Sequence, residues 1–266
     1  MVGSMADLFD AAGMYDEDYL HFFASDGEPE HPGREPATPI AALPGETAAD
    51  LTWRLLDLRP DMRVLDLACG HGDLANRIAA RGCRVTGLDS STVFLNRARA
   101  DAATAGVDVE YVAGDMRRLP WRAHFDRVIN WSTAFGYFDD DTDRAVLRGI
   151  AGTLRPGGRL AMDLDNLPAF LAAYSPSRVV APRDDGDMLV DRYRLDPVTG
   201  RLEAERTIVR HGRTRRTHFV KRLFAFPELR DWLLAAGFAA VSCYGEDGRP
   251  LSADHRRMIV VAALPA

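Results

Sequence analysis

The sequence predicts an α/β protein built on a mostly parallel sheet with helices on both faces and a second, antiparallel sheet inserted late in the chain. Three observations carry that expectation. Short apolar runs alternate with amphipathic stretches from Arg63 onward, one run ends in a glycine-bearing turn, and the alternation stops after Leu164. Strands that alternate with helical patterns give parallel β-α-β units with right-handed crossovers.

The elements follow in order. Residues from Met5 to Phe23 have helical spacing, and the five prolines between Gly27 and Pro44 predict a loop after them. Glu46 to Leu58 places Leu51, Leu55, Leu56 and Leu58 at helical intervals, and Pro60-Asp61 turns the chain into the first strand. Strands are predicted at Arg63 to Leu67, Arg84 to Leu88, Val109 to Ala113, Arg127 to Trp131 and Arg159 to Leu164. Helices are predicted at Gly72 to Arg81, Ser91 to Ala105 and Thr142 to Leu154, the last stopped by Pro156-Gly157-Gly158. From Asp165 to Phe224 the pattern is antiparallel, with strands at Met188 to Leu195, Arg201 to Arg210 and Arg213 to Phe224. A helix from Pro227 to Ala236 and strands at Ala239 to Tyr244 and Met258 to Ala263 complete the chain. Four units are therefore expected: a lid over 1–46, a ligand-binding core over 47–164, an insertion covering a substrate over 165–224, and a return to the core over 225–266.

Composition narrows the function. The 266 residues carry a formal net charge of −6, which disfavours generic nucleic-acid binding because no global positive field would draw in a phosphate backbone. Three cysteines without metal-ligand spacing predict reduced thiols and no metal site. No run is long enough to span a bilayer and the N-terminus lacks a signal pattern, so a cytoplasmic protein is expected. A homo-oligomer is compatible with the sequence, although no residue pattern specifies one.

The turn Ala68-Cys69-Gly70-His71-Gly72 follows the apolar run Val64 to Leu67 and leads into a helix, a layout that lets a nucleotide-like ligand approach bare backbone. Asp66 precedes the glycines. It would repel a pyrophosphate and attract a ligand bearing an ammonium group, which disfavours a nicotinamide dehydrogenase. Asp89 lies at the end of the second strand, where a carboxylate can take both ribose hydroxyls. Asp115 and Met116, at the end of the third, suit an adenine amino group and an apolar ring edge. Turn and cap duty would explain the same aspartates.

Taken together, Asp66 to Gly72, Gly87-Leu88-Asp89-Ser90-Ser91, Gly114-Asp115-Met116 and Leu154-Arg155-Pro156-Gly157-Gly158-Arg159-Leu160 resemble the motifs of the class I S-adenosylmethionine-dependent methyltransferases, over roughly residues 47–263. The resemblance implies a Rossmann-like seven-stranded sheet and S-adenosyl-L-methionine as cofactor, with S-adenosyl-L-homocysteine as product. It implies cofactor contacts from Tyr15, Asp66, Ala68, Gly70, Gly72, Asp89, Ser90, Asp115, Met116 and Asn130. Ala68 stands where the fuller motif has glycine, which predicts a slightly wider turn. Asn130-Trp131-Ser132-Thr133 lacks the Asn/Asp-Pro-Pro-aromatic turn of DNA amino-methyltransferases, and the aromatics after it resemble the bacterial small-molecule branch. Tyr15-Asp16-Glu17-Asp18-Tyr19 resembles that branch's N-terminal helix over the methionine end of the cofactor.

A small-molecule acceptor is expected, methylated on O, N or C, with specialised metabolism as the setting. His218 and Tyr137 are the candidate catalytic groups, with His21, His31 and His255 as further histidines. The insertion's Arg206, Arg210, Arg213, Arg215, Arg216 and Arg222 read either as a charged outer face or as forks for an anionic acceptor. A non-methylating protein on the same fold, either a cyclase-type enzyme or a cofactor-binding partner subunit, is the alternative.

Overall fold

The computed structural model describes residues 14–23, 47–180 and 186–266. Seven strands form the main sheet in the order β10-β11-β5-β4-β1-β2-β3. These are β1 (Arg63–Leu67), β2 (Arg84–Asp89), β3 (Val109–Ala113), β4 (Phe125–Asn130), β5 (Leu154–Asp165), β10 (Ala240–Tyr244) and β11 (Arg257–Ala263). The pairs among β1 to β5 are parallel, whereas β11 runs antiparallel to β5 and β10 antiparallel to β11. The carboxyl ends of β1 to β5 therefore share one rim, and the chain order reverses between β1 and β4.

Strand pleating divides the core. Val64, Val85 and Ile129 face one side, where they pack with Leu51, Ile78 and Leu95 from α2 (Ala48–Leu55), α3 (Asp73–Ala79) and α4 (Thr92–Ala105). Their neighbours Leu65, Leu67 and Val128 face the other, against Leu147, Ile150, Trp232 and Leu233 of α5 (Asp140–Thr153) and α7 (Phe226–Ala235). Helix starts follow their caps. Thr47 and Asp50 form a capping box at α2, Ser91 accepts from the amide of Phe94 at α4, and Asp139 accepts from Thr142 at α5. Because Asp139 is the cap, α5 begins two residues before the predicted Thr142.

Between β3 and β4 the chain has no helix, only a loop over 114–124 from which Met116, Leu119 and Trp121 pack onto the core. Strand β5 starts at Leu154, earlier than predicted, and takes in the Pro156-Gly157-Gly158 turn through a register irregularity against β4.

The insertion is a four-stranded antiparallel sheet, β6 (Ser177–Val180), β7 (Met188–Asp196), β8 (Arg201–Arg210) and β9 (Arg213–Arg222). Two of its parts carried no signal in the sequence. These are β6 and the short helix α6 (Leu167–Ala172), which buries no residue and so shows no amphipathic stripe. At the N-terminus, α1 (Glu17–Phe23) is the described part of the predicted helix. The remainder of that helix, the proline-rich stretch and His31 lie outside the described residues.

Candidate functional site

The turn after β1 is built by its own backbone. Cys69 donates its amide to Leu88 O of β2 at 3.1 Å, and Gly72 donates to Cys69 O at 3.0 Å. The turn is tight, not widened. Ala68 accepts it by taking φ +60°, a left-handed conformation that costs an L-residue about 1–2 kcal/mol. Gly72, at φ +81°, is required by space as well, since a Cβ there would lie 2.2 Å from the Tyr111 hydroxyl and 2.8 Å from Ala98 Cβ. It holds α3 against α4 and β3.

Asp89 organises this turn. Its Oδ2 accepts from Gly70 N and its Oδ1 from Ser91 N, both at 2.8 Å. Burial pushes its carboxyl above the ordinary range, opposed by these amides and that of Ser90. Ser90 itself is exposed. Asp115 is gripped by Arg117, with Nη2 2.6 Å from Oδ2, and that fork outweighs burial to hold the carboxyl below its ordinary value. Met116 is half-buried against the core beside it.

Asp66 differs from both. It is only 2% exposed and makes no hydrogen bond or ion pair among the described residues, and burial, with Asp89 and Asp73 adding repulsion, raises its pKa to about 7. A buried carboxyl without a partner is costly unless something else supplies one. Asn130, 1% exposed, shows the same deficit: Nδ2 donates to Leu67 O at 2.9 Å, but Oδ1 is buried without a partner. The rim thus offers two unmet acceptors beside a strained turn and two further carboxyls. That donor set fits a ligand with an ammonium group, a ribose and an adenine, as S-adenosylmethionine has.

Helix α1 closes over this rim from the insertion side. The Ser91 hydroxyl donates to Tyr15 O at 2.7 Å, and Tyr15 and Tyr19 pack against Phe94, whose ring lies near Gly70. The Tyr15 hydroxyl, expected to reach a cofactor carboxylate, instead donates to the Tyr137 hydroxyl at 3.1 Å. Two residues singled out separately in the sequence therefore meet. Tyr137 comes from the turn after β4 and packs with Met14, Tyr15, Tyr193, Ala204 and Phe219. Burial pushes the Tyr15 phenol well above its ordinary value and that of Tyr19 up to about 12.

His218 is not part of this cluster. On β9 it pairs with Glu205 of β8 and is exposed, while its neighbour Phe219 is buried toward Tyr137. Strand alternation puts His218 on the outer face, the wrong side for a base at this site. His255 lies 3.1 Å from Asp247 near the C-terminal strand, and His21 the same distance from Asp187 of the insertion. Neither joins the tyrosine pair.

The arginines also depart from expectation. Arg206 is buried and doubly hydrogen-bonded to Asp191, at 2.8 Å from Nε and from Nη2, with its guanidinium over the rings of Tyr19 and Phe219. Arg210 and Arg215 bind Asp18 of α1, and Arg215 also meets Asp16 just before it. Arg222 is paired with Glu228 and lies near Asp140, and only Arg213 and Arg216 of the six are exposed. Four of the six guanidiniums thus fasten the protein to itself, and the two exposed ones offer no inward fork for an anionic acceptor.

A second group was missed in the sequence. Asp163, wholly buried in β5, receives Nε of Arg257 at 2.8 Å, and Arg257 reaches Asp165, which binds Nζ of Lys221 at 2.8 Å. Asp163 interrupts the apolar run Leu160-Ala161-Met162-Asp163-Leu164, and a carboxylate in a buried strand signals a partner to be found.

Comparison with known proteins agrees with this geometry. Residues 64–158 match a family described as a methyltransferase domain. The chain is 32% identical over 212 residues to a cypemycin N-terminal methyltransferase from Streptomyces sp, covering 74% of this chain and 81% of that protein. It is 38% identical over 168 residues to a 27-O-demethylrifamycin SV methyltransferase from Amycolatopsis mediterranei, covering 59% of each. Among solved structures, the CcbJ methyltransferase from Streptomyces caelestis superposes with a TM-score of 0.68 at 24% identity, over 82% of this chain and 88% of that one. A sugar N-methyltransferase from Streptoalloteichus sp does so with a TM-score of 0.63 at 19% identity, over 91% and 99%. At those identities the two structures speak for the fold alone.

Proposed function

Because the chain belongs to the class I S-adenosylmethionine-dependent methyltransferases, we propose that it methylates an uncharged hydroxyl or amine of a small molecule, taken between the turn after β4 and the insertion sheet, with Tyr137 facing the acceptor. The observation that carries this reading is the Tyr15–Tyr137 hydroxyl pair, which stands where the core, α1 and the insertion converge. The relatives act, by their names, on cypemycin and a rifamycin, which supports specialised metabolism as the setting.

Asp66, Asp89, Asn130 and the turn from Ala68 to Gly72 would hold the cofactor, with Ser90, Asp115 and Met116 at its nucleoside end. Asp115 would then have to share its oxygens with Arg117. When bound, S-adenosylmethionine supplies a methyl group on a sulfonium, open to in-line attack by a nucleophile. The protein's own contribution is alignment and exclusion of water. Tyr15 donates to the Tyr137 oxygen, a contact that fixes where that oxygen meets the acceptor. With Arg206, Arg210, Arg215 and Arg222 paired, a neutral or aminated acceptor suits the aromatic lining better than a carboxylate does.

The test is incubation with labelled S-adenosylmethionine and metabolite extracts, followed by mass analysis of what gains a methyl. Tyr137→Phe should lower the rate tenfold or more with S-adenosylhomocysteine affinity unchanged. A rate equal to that of the unmodified protein removes Tyr137 from the site, and labelling of none of the small molecules ends the small-molecule reading.

A further inference from the structure

The turn that carries Tyr137 is held in a conformation it would not adopt alone. Directly after β4, Ser132 and Thr133 take φ +56° and +59° in succession. Left-handed backbone costs each L-residue about 1–2 kcal/mol, and two adjacent residues persist there only when their surroundings impose it. Three hydrogen bonds impose it. Asp163 Oδ2 accepts from Ser132 N at 2.9 Å, Asp163 O accepts from Thr133 N at 3.0 Å, and Gly136 O accepts from Arg222 N of β9 at 2.7 Å. Gly136, at φ +99°, lies so close to β9 that an added Cβ would stand 2.8 Å from Arg222 O. The segment is pinned at both ends, and Tyr137 is the next residue.

Asp163 is in turn fixed by Arg257. The guanidinium places Nε 2.8 Å from Oδ1 and Nη2 2.6 Å from Oδ2, and both residues are buried, at 0% and 4% exposure. The Nε hydrogen bond to Oδ1 and the close charge contact of Nη2 with Oδ2 hold the carboxylate in the orientation that points Oδ2 at Ser132. From Arg257 the chain of ion pairs continues through Asp165 to Lys221 on β9, the strand that also holds Gly136. One buried network thus reaches both ends of the turn. A pair with a merely architectural role needs no contact with a strained segment, whereas this one spends a carboxylate oxygen on it.

We propose that Asp163 and Arg257 are positioning residues for methyl transfer: they hold the left-handed Ser132-Thr133 turn and thereby set where Tyr137 meets the acceptor. The proposal rests on the reading of Tyr137 as the acceptor-facing group. Asp163→Asn keeps the shape and one acceptor oxygen but loses the two-point grip of Arg257.

The test labels position 137 with 3-fluorotyrosine and follows its fluorine resonance together with amide exchange at Ser132 and Thr133. In Asp163→Asn the resonance should shift or split, and the two amides should exchange at least tenfold faster while the amides of β1 and β2 keep their protection. S-adenosylhomocysteine affinity should stay within twofold. Incorporation of labelled methyl into a fixed metabolite extract should fall about tenfold, with no further fall when Asp163→Asn is added to Tyr137→Phe. Should Asp163→Asn not fold, Arg257→Lys keeps the charge with a looser grip and should show the same changes, smaller. An unchanged resonance and unchanged exchange in a folded variant, or losses that add to those of Tyr137→Phe, overturns the proposal. An unaltered rate in Tyr137→Phe would instead overturn the reading of Tyr137, and the resonance and exchange still judge Asp163 on their own.

Discussion

Replacing Asp66 by asparagine should strengthen the fold and weaken the cofactor site at once. The carboxyl is buried without a partner, and its pKa rises from the ordinary 3.8 to about 7. At about 1.4 kcal/mol per pH unit, ionised Asp66 above neutrality therefore costs the empty protein ~4 kcal/mol. The sign follows from proton counting. Between pH 4 and 7 the folded state holds a proton that the unfolded state has released, so this group's contribution to stability falls as pH rises and levels off above 7. Asp66→Asn, nearly isosteric and uncharged, should gain up to ~4 kcal/mol over the natural chain at pH 8 and about a third of that at pH 5. Denaturant unfolding of the ligand-free protein at the two pH values measures the gain. Calorimetry with S-adenosylhomocysteine should then show a loss of about tenfold to a hundredfold in affinity, the worth of one charge-assisted hydrogen bond. The unmodified protein should bind more tightly at pH 8 than at pH 6, and the variant equally at both. Equal stability of variant and parent at pH 8, or unaltered affinity, would refute the reasoning.

The remaining predictions concern strain and buried charge. Ala68→Gly should raise stability by about 0.5–1 kcal/mol in denaturant unfolding, because glycine takes φ +60° without the steric cost but adds freedom to the unfolded chain. Arg206→Leu should lower stability by about 3–5 kcal/mol, since it leaves Asp191, at 2% side-chain exposure, without its counter-charge and with only the Tyr193 hydroxyl as a partner among the described residues. Restoring neutrality with Asp191→Asn in the same chain should recover a large part of that loss.

The parallel sheet was legible because its strands are buried on both faces and read as apolar runs, and the glycine turn because a strand, two glycines and a helix follow one another. Asp66 was legible for the reason that makes it costly: a charge inside an apolar strand demands a partner. Asp163 sends the same signal from β5, yet its partner Arg257 stands 94 residues away in the chain, and only the pairing of β11 with β5 brings them together. The arginines of β8 and β9 looked free because their counter-charges lie on other elements, Asp191 on β7 and Asp16 and Asp18 at the far N-terminus. Charge is visible in one strand, whereas neutralisation belongs to the assembled fold. His218 and Phe219 differ by one position and by a whole face, so a candidate base on a strand needs the register before it needs a pKa.

Helix α1 has only seven residues, and it is fastened on both sides, through Tyr15 just before it to Ser91 beside the glycine turn and through Asp18 to Arg210 and Arg215 of the insertion. A cover shared in this way ties the glycine turn to the insertion sheet. Displacing it from the rim breaks the Ser91–Tyr15 hydrogen bond and the Asp18 ion pairs together. The placement of the insertion and the cover of the rim thus depend on one short helix.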